Sequence, residues 1–444
     1  MATIAIVPSD VTSKRMLALR LGALLAGAGH RVVMLVDAGD SDDTTDGFER
    51  REVAIRCSTG GSGRRWRPFA LWRASRAAAS TLGTRELAAV FAEVQPDLVI
   101  VDIEEWEALI LALALESRPP LAVLCSFFDV WPIAGLGPND SGPQGGLVDR
   151  VRGSVAWPWL WFRMRAHDVK QQLVSGRIDR VAASRALARR LGVRDQLTSR
   201  QWMHPFVPHS LPMLVCNALE LDIPHEPRDE VIHIGSLLTP VASDAASIDD
   251  PALFAAIERA RAEGRPIVLC AFGTLSTGDR TTLMRGLADV ARLRPGYQFV
   301  VGSAVEAHAA EFVGLSNVHI GAWIPQRAVL SYAAAAVVHS GNATLHECVA
   351  ARVPMLVHPL GVNDQSRNAA RVVRHRIGVL AAGDATTLAA LLDGVIADDS
   401  MRQRIDALAE HVTRYERDGV AVSAVEELLR ASGGHLTVAA RSRP

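Results

Sequence analysis

The stretch from His339 to Gly378 reads HSGNATLHECVAARVPMLVHPLGVNDQSRNAARVVRHRIG, and it decides the fold. It begins on the last residue of a short apolar run, Ala335 to His339 (AAVVH). Gly341 then allows a tight turn, and a helical pattern starts at about Thr344. A second short apolar run, Met355 to His358 (MLVH), stops near Pro359, and Asp364 and Gln365 stand in the loop that follows. Unbroken apolar runs on either side of a helix are what two buried, parallel strands and their crossover produce.

The same stretch has the chemistry of an anion site. Where a strand turns directly into a helix, free backbone N–H groups and the positive helix end face whatever lies above the strand. The imidazole of His339 and the hydroxyl of Thr344 would add donors to a phosphate. Glu347, one turn into the helix, is placed to accept from a pair of ribose hydroxyls, and Asp364 beside Gln365 suits a polyhydroxylated ring. Taken singly, His339 also fits a core position and Asp364 a helix cap. The combined spacing is what points to a ligand.

Outward from this segment the rhythm repeats. Ile267 to Ala271, Gln298 to Gly302 and Val318 to Ile320 read as further strands of the same block. An earlier block opens with Thr3 to Pro8, a helix carrying Leu17, Leu21, Leu24, Leu25 and Ala28 at helical spacing, a stop at Gly29, and a strand at Arg31 to Val36. Asp97 to Asp102 and Leu121 to Cys125 continue it, with an apolar helix between them. A chain of 444 residues exceeds one ordinary core, so two α/β domains are expected. The prolines and charges of Cys216 to Pro240 read as an exposed linker and hinge. We therefore divide the chain into residues 1–225, residues 226–415, and a C-terminal helical segment, 416–444, that can bridge back to the first domain.

Composition narrows the function. Lys and Arg number 47 against 48 Asp and Glu, a net charge of −1, which gives no electrostatic reason to expect a nucleic-acid partner. The 49% hydrophobic and 21% charged residues are those of a folded globular chain. Cys57, Cys125, Cys216, Cys270 and Cys348 are scattered, form no C-x-x-C pair, and suit a reducing cytoplasm. The N-terminus runs straight into a strand and lacks the longer apolar stretch of a signal peptide. The acidic triplet at Asp40 to Asp42 reads as a solvated loop, and no metal or cofactor is assigned.

In order along the chain, Trp323-Ile324-Pro325-Gln326, His339-Ser340-Gly341, Thr344-Leu345-His346-Glu347 and the Pro359-led loop to Asp364-Gln365 resemble the nucleotide-sugar signature of the family 1 GT-B glycosyltransferases. These include bacterial natural-product, macrolide and carotenoid enzymes. The resemblance implies two Rossmann-like parallel-sheet domains facing across a cleft. It implies that Trp323 stacks on the base, Gln326 binds base or ribose, and His339 and Thr344 hold the diphosphate. Glu347 would take the ribose diol, and Asp364 and Gln365 the sugar. Phe272-Gly273-Thr274 is similar to the family's Phe-Gly-Ser/Thr turn, with Gly273 and Thr274 at the diphosphate. The chain departs at Ser340, where a second glycine is usual, and at Ala343.

The first domain resembles the family more faintly. Gly29-His30 matches the Gly-His before the second strand, but the earlier Gly-His, whose His is the general base on the acceptor hydroxyl, is replaced. Counting from both ends lands on Ser13-Lys14. A general base contributes roughly 10²–10⁴-fold, so Lys14, Asp10 in the same loop, and Asp102 at its strand end are the candidates to replace it. Eight of the nine tryptophans lie in the first domain, with Trp157, Trp159 and Trp161 near Phe162, and Trp131 and Trp202 in proline-containing loops. That fits core packing, an apolar acceptor cleft or a membrane-facing lip. The expectation is an inverting, metal-independent transferase that moves a sugar from a UDP- or dTDP-sugar to a small hydrophobic natural product. A homodimer is compatible with it. The competing expectation is a non-catalytic GT-B-like partner that activates another transferase.

Overall fold

In the computed structural model the described residues are 1–38, 47–57, 68–128, 155–163, 166, 170, 180–198, 206–208, 210–225, 228–237, 248–273, 280–302, 306–360 and 364–433. Asp40, Asp42, Trp131, Trp202 and Thr274 lie outside them.

The first half builds strands β1 (Thr3–Val7), β2 (Arg31–Asp37), β3 (Glu49–Val53), β4 (Leu98–Asp102) and β5 (Leu121–Cys125). A short antiparallel ladder of β6 (Leu197–Thr198) and β7 (Val207–Pro208) precedes β8 (Met213–Val215) and β9 (Val231–His233). The sheet order is β3-β2-β1-β4-β5-β8-β9, with every pair parallel. Both faces are covered, which is why the strands read as unbroken apolar runs. Ile4, Ile6, Met34 and Ile100 pack on one side with the helix Thr12–Gly27, while Ala5, Val7, Leu35 and Val101 pack on the other with the apolar helix Trp106–Leu113.

The second sheet holds β10 (Ile267–Ala271), β11 (Gln298–Gly302), β12 (Val318–Gly321), β13 (Ala335–Val338), β14 (Met355–Val357) and β15 (Gly378–Leu380), in the order β12-β11-β10-β13-β14-β15, again parallel throughout. In doubly wound sheets ligands bind beyond the carboxyl ends of the strands where the order reverses. The reversal falls between β1 and β4 in the first sheet and between β10 and β13 in the second.

The segment after β8 departs from the expected exposed linker. Cys216, Asn217, Ala218, Leu221, Asp222 and Ile223 are all buried, and β9 closes the edge of the first sheet. Two of the charges that suggested exposure, Asp222 and Glu220, are paired instead, while Arg228 and Asp229 are exposed. Asp222 meets Arg371, and Glu220 accepts hydrogen bonds from Tyr415 and Arg414. The C-terminal helices tie the halves together: Asp399–Arg417 packs its Ile405, Leu408 and Val412 into the second core, and Val420–Gly433 packs Ala421, Ala424 and Val425 against the first. Trp157 is buried, whereas Trp159 and Phe162 are exposed. Among the described residues no helix is long and apolar enough to cross a membrane.

Candidate active site in the interdomain cleft

At the carboxyl end of β13 the chain turns through Ser340, which takes a left-handed φ of 65°, and enters the helix Asn342–Ala350 with Gly341 as its N-cap. No side chain caps this helix end, so its first N–H groups stay available to an anion. His339 is half-buried, and its Nδ1 lies 3.4 Å from the Ala271 carbonyl at the end of β10. Gly273 and Gly341 flank the ring: a Cβ at either would stand 2.9 Å or 2.5 Å from Nε2. Gly273 also has a φ of +67°, so the turn after β10 needs glycine for its backbone as well as for its closeness.

Thr344 and Glu347 lie on the next turn, bound by one side chain. Gln326, the first residue of the helix Gln326–Leu330, donates through Nε2 to Thr344 Oγ1 at 3.3 Å and to Glu347 Oε2. Burial pushes the Glu347 carboxyl above the usual carboxylate range, opposed by Gln326 and by the guanidiniums of Arg327 and Arg20. Glu347 borders an interdomain cavity of about 750 Å³, whose lining includes Arg20 from the first domain, Leu24, Leu237, Arg327 and Tyr415. Trp323, just after β12, is 77% exposed, leaving its indole face open.

Asp364 stands at the start of the helix Gln365–His375 and accepts from Asn368 Nδ2 at 2.9 Å. Burial raises its carboxyl, and the Lys14 ammonium across the cleft is close enough to favour the charged form. Gln365 is buried, and its Oε1 accepts from the Leu360 N–H at 2.7 Å, which fixes the loop after β14. The structure thus brings Gly273, His339, Gly341, Thr344, Gln326 and Glu347 to one strand-end surface, with Asp364 and Gln365 beside it.

On the facing domain the sequence-predicted groups separate. Lys14 is ion-paired with Glu104 and lies 4.3 Å from the centroid of the Phe127 ring. Asp10 is exposed, with its Oδ2 3.7 Å from Arg56. Asp102 is 1% exposed; burial pushes its carboxyl up to about 8, its Oδ1 accepts from the Glu104 N–H at 3.0 Å, and its Oδ2 is buried without a hydrogen-bond partner. Around them runs a charged network absent from the sequence reading. Arg56 forks onto the buried Glu105 at 2.7 and 3.0 Å, and Arg180 onto the buried Glu107 at 2.8 and 3.0 Å. The signal was available in Asp102-Ile103-Glu104-Glu105-Trp106-Glu107: four acids directly after an apolar strand, where ligands gather in such sheets.

The domains meet through specific contacts. Asn342 Nδ2 donates to the Ser126 carbonyl beyond β5 at 2.6 Å, and the Phe128 ring stacks on His346 with centroids 5.6 Å apart. Two doubly wound parallel sheets joined in this way define the GT-B fold class.

Residues 307–442 match the family model for UDP-glucoronosyl and UDP-glucosyl transferase. The zeaxanthin glucosyltransferase of Pantoea ananas is 26% identical over 331 residues, 72% of this chain and 69% of that protein. The Caenorhabditis elegans protein ugt-48, whose name places it with UDP-glucuronosyltransferases, is 28% identical over 166 residues, 36% of this chain. The chain spans 30% of that relative's length. The solved structure of the glycotransferase of kitacinnamycin superposes with a TM-score of 0.65 at 21% identity, over 97% of this chain and 98% of that one, a likeness of fold. The family match thus covers residues 307–442, and over the rest of the chain the likeness is one of GT-B fold.

Proposed function

We propose that this protein transfers a glycosyl group from a UDP- or dTDP-sugar to a hydroxyl of a small hydrophobic natural product, with inversion and without a metal. The observation that carries this reading is the convergence of His339, the uncapped helix end at Gly341 and the Gln326-held Glu347 on one surface at the switch point of the second sheet. There, Trp323 would stack on the base, Glu347 and Gln326 would take the ribose, and His339, Thr344 and the turn carrying Gly273 and Thr274 would hold the diphosphate. Asp364 and Gln365 would face the sugar. Fixed N–H donors and a helix end can carry the charge that develops on a leaving diphosphate, which is the task a metal otherwise performs.

Thermal unfolding in the presence of nucleotide sugars tests the donor half, because a ligand of the folded state raises the melting point. UDP-glucose or dTDP-glucose should raise it, and Glu347→Ala or Asp364→Ala should remove most of the rise. Unchanged shifts in both variants would refute the donor assignment. Donor-dependent product from the purified chain alone separates a transferase from an auxiliary partner.

A further inference from the structure

We propose that Glu104 is the general base that takes the acceptor's proton, an assignment that rests on the glycosyl-transfer reading above. Glu104 lies two residues beyond β4, beside the end of β1, at the point where the first sheet reverses its order. Its side chain is 20% exposed and held at both oxygens: Lys14 contacts Oε1, and the buried Ser9 hydroxyl lies 3.3 Å from Oε2. Its backbone is fixed as well, since the N–H donates to Asp102 Oδ1 and the carbonyl accepts from Arg180 Nη2, each at 3.0 Å.

The pair points toward the donor side. Lys14 sits over Phe127, whose neighbour Ser126 accepts from Asn342 at the head of the second domain's helix, and the ammonium favours the charged form of Asp364 across the cleft. Its acidic neighbours are placed less well. Asp102 is sealed from the cleft, Glu105 and Glu107 are buried under arginine forks, and Asp10 is drawn toward Arg56. Lys14, paired with Glu104, serves to position the carboxylate.

The acceptor oxygen forms a bond to the anomeric carbon while its proton passes to Glu104 Oε2. The bond from that carbon to the diphosphate oxygen breaks, and its electron pair leaves on the diphosphate beside His339 and the helix end. A carboxylate thus takes the role that the resemblance gives to an imidazole, with Ser9 and Lys14 fixing its direction.

The test compares parent, Glu104→Gln and Glu104→Ala with UDP-glucose and dTDP-glucose as donors and two acceptors, a phenol and the matching benzyl alcohol. Melting points without donor check that the variants fold. We expect kcat for the benzyl alcohol to fall ~10²–10⁴-fold, a smaller loss for the more acidic phenol, an unchanged donor-induced shift, and partial recovery of Glu104→Ala by added formate. Turnover within about threefold of the parent would overturn the assignment, since a base contributes far more. So would equal losses for both acceptors with no formate rescue. If the parent itself neither binds donor nor makes product, the transferase reading fails first, and this assignment falls with it.

Discussion

Arg371 and Asp222 form a buried ion pair between the two halves of the molecule, with Nε 2.7 Å and Nη2 2.6 Å from Oδ1. Asp222 belongs to the segment leaving the first sheet, and Arg371 to the helix that Asp364 begins. Burial alone would raise the Asp222 carboxyl, but the Arg371 guanidinium, His225 and the Ile223 N–H hold it below the usual range. The guanidinium also lies 4.0 Å from the centroid of the Phe128 ring, which stacks on His346 in the helix after β13. A charge on the segment leaving the first sheet, a domain contact and the candidate donor site are therefore one connected cluster.

Removing one partner leaves the other charge buried and unpaired, which costs about 3–5 kcal/mol, whereas apolar residues at both positions are often neutral. Arg371→Met and Asp222→Leu should each lower the urea midpoint strongly, and the double variant should regain most of the loss. Equal, additive losses would mean that packing, and not charge, dominates there.

Acid sensitivity follows from His346 and Asp222. Burial lowers the His346 imidazole to about 4, while its Nδ1–H donates to the Asn342 carbonyl at 3.0 Å. The unfolded chain takes up this proton from about pH 6.5 downward and the native state does not, so stability should fall between pH 6.5 and 4 by up to about 1.4 kcal/mol per pH unit. Asp222 has the depressed value of a paired acid. Its contribution is complete above the unfolded value and is lost as pH drops through the folded one. His346→Leu should flatten the upper part of this fall, as measured by denaturant midpoints across pH; an unaltered slope would assign the fall to other groups.

The strands were legible because a parallel strand buried on both faces has to be apolar throughout, as IVLCA at Ile267–Ala271 and LAVLC at Leu121–Cys125 are. The turn after β13 was legible because its signals are local: a glycine, a strand end and a helix start lie within ten residues of His339. Long-range pairing was not. Lys14 and Glu104 are 90 positions apart, and Arg371 and Asp222 are 149 apart, so no spacing announces that either charge is neutralised. The exposure of Glu220 and Asp222 was misread for that reason, since both looked solvated until their partners came from another domain.

Ser340 offers a separate test. It holds a left-handed φ of 65°, is wholly buried, and its Oγ has no hydrogen-bond partner. The left-handed backbone costs a residue with a Cβ roughly 1–2 kcal/mol, and a desolvated hydroxyl about 1–3 kcal/mol, against about 0.5–1 kcal/mol of extra chain entropy lost by glycine. Ser340→Gly should therefore stabilise the protein by about 1 kcal/mol or more, visible as a higher melting point. A lower one would show that the hydroxyl has a use that its surroundings do not reveal.

Gly341→Ala and Gly273→Ala separate folding from donor binding. Gly341 has a φ of −65°, which alanine adopts freely, so its substitution disturbs chiefly the His339 ring that a Cβ would meet at 2.5 Å. Gly273 has a φ of +67° in addition to its 2.9 Å approach to the same ring. Gly341→Ala should weaken nucleotide-sugar binding about tenfold or more, equivalent to about 1.4 kcal/mol, while leaving the ligand-free melting point nearly unchanged. Gly273→Ala should weaken binding and also lower that melting point, because the left-handed backbone adds its own roughly 1–2 kcal/mol. Titration calorimetry with UDP or dTDP on both variants reads the first effect and thermal unfolding the second. Undiminished affinity in Gly341→Ala would remove His339 from the donor site.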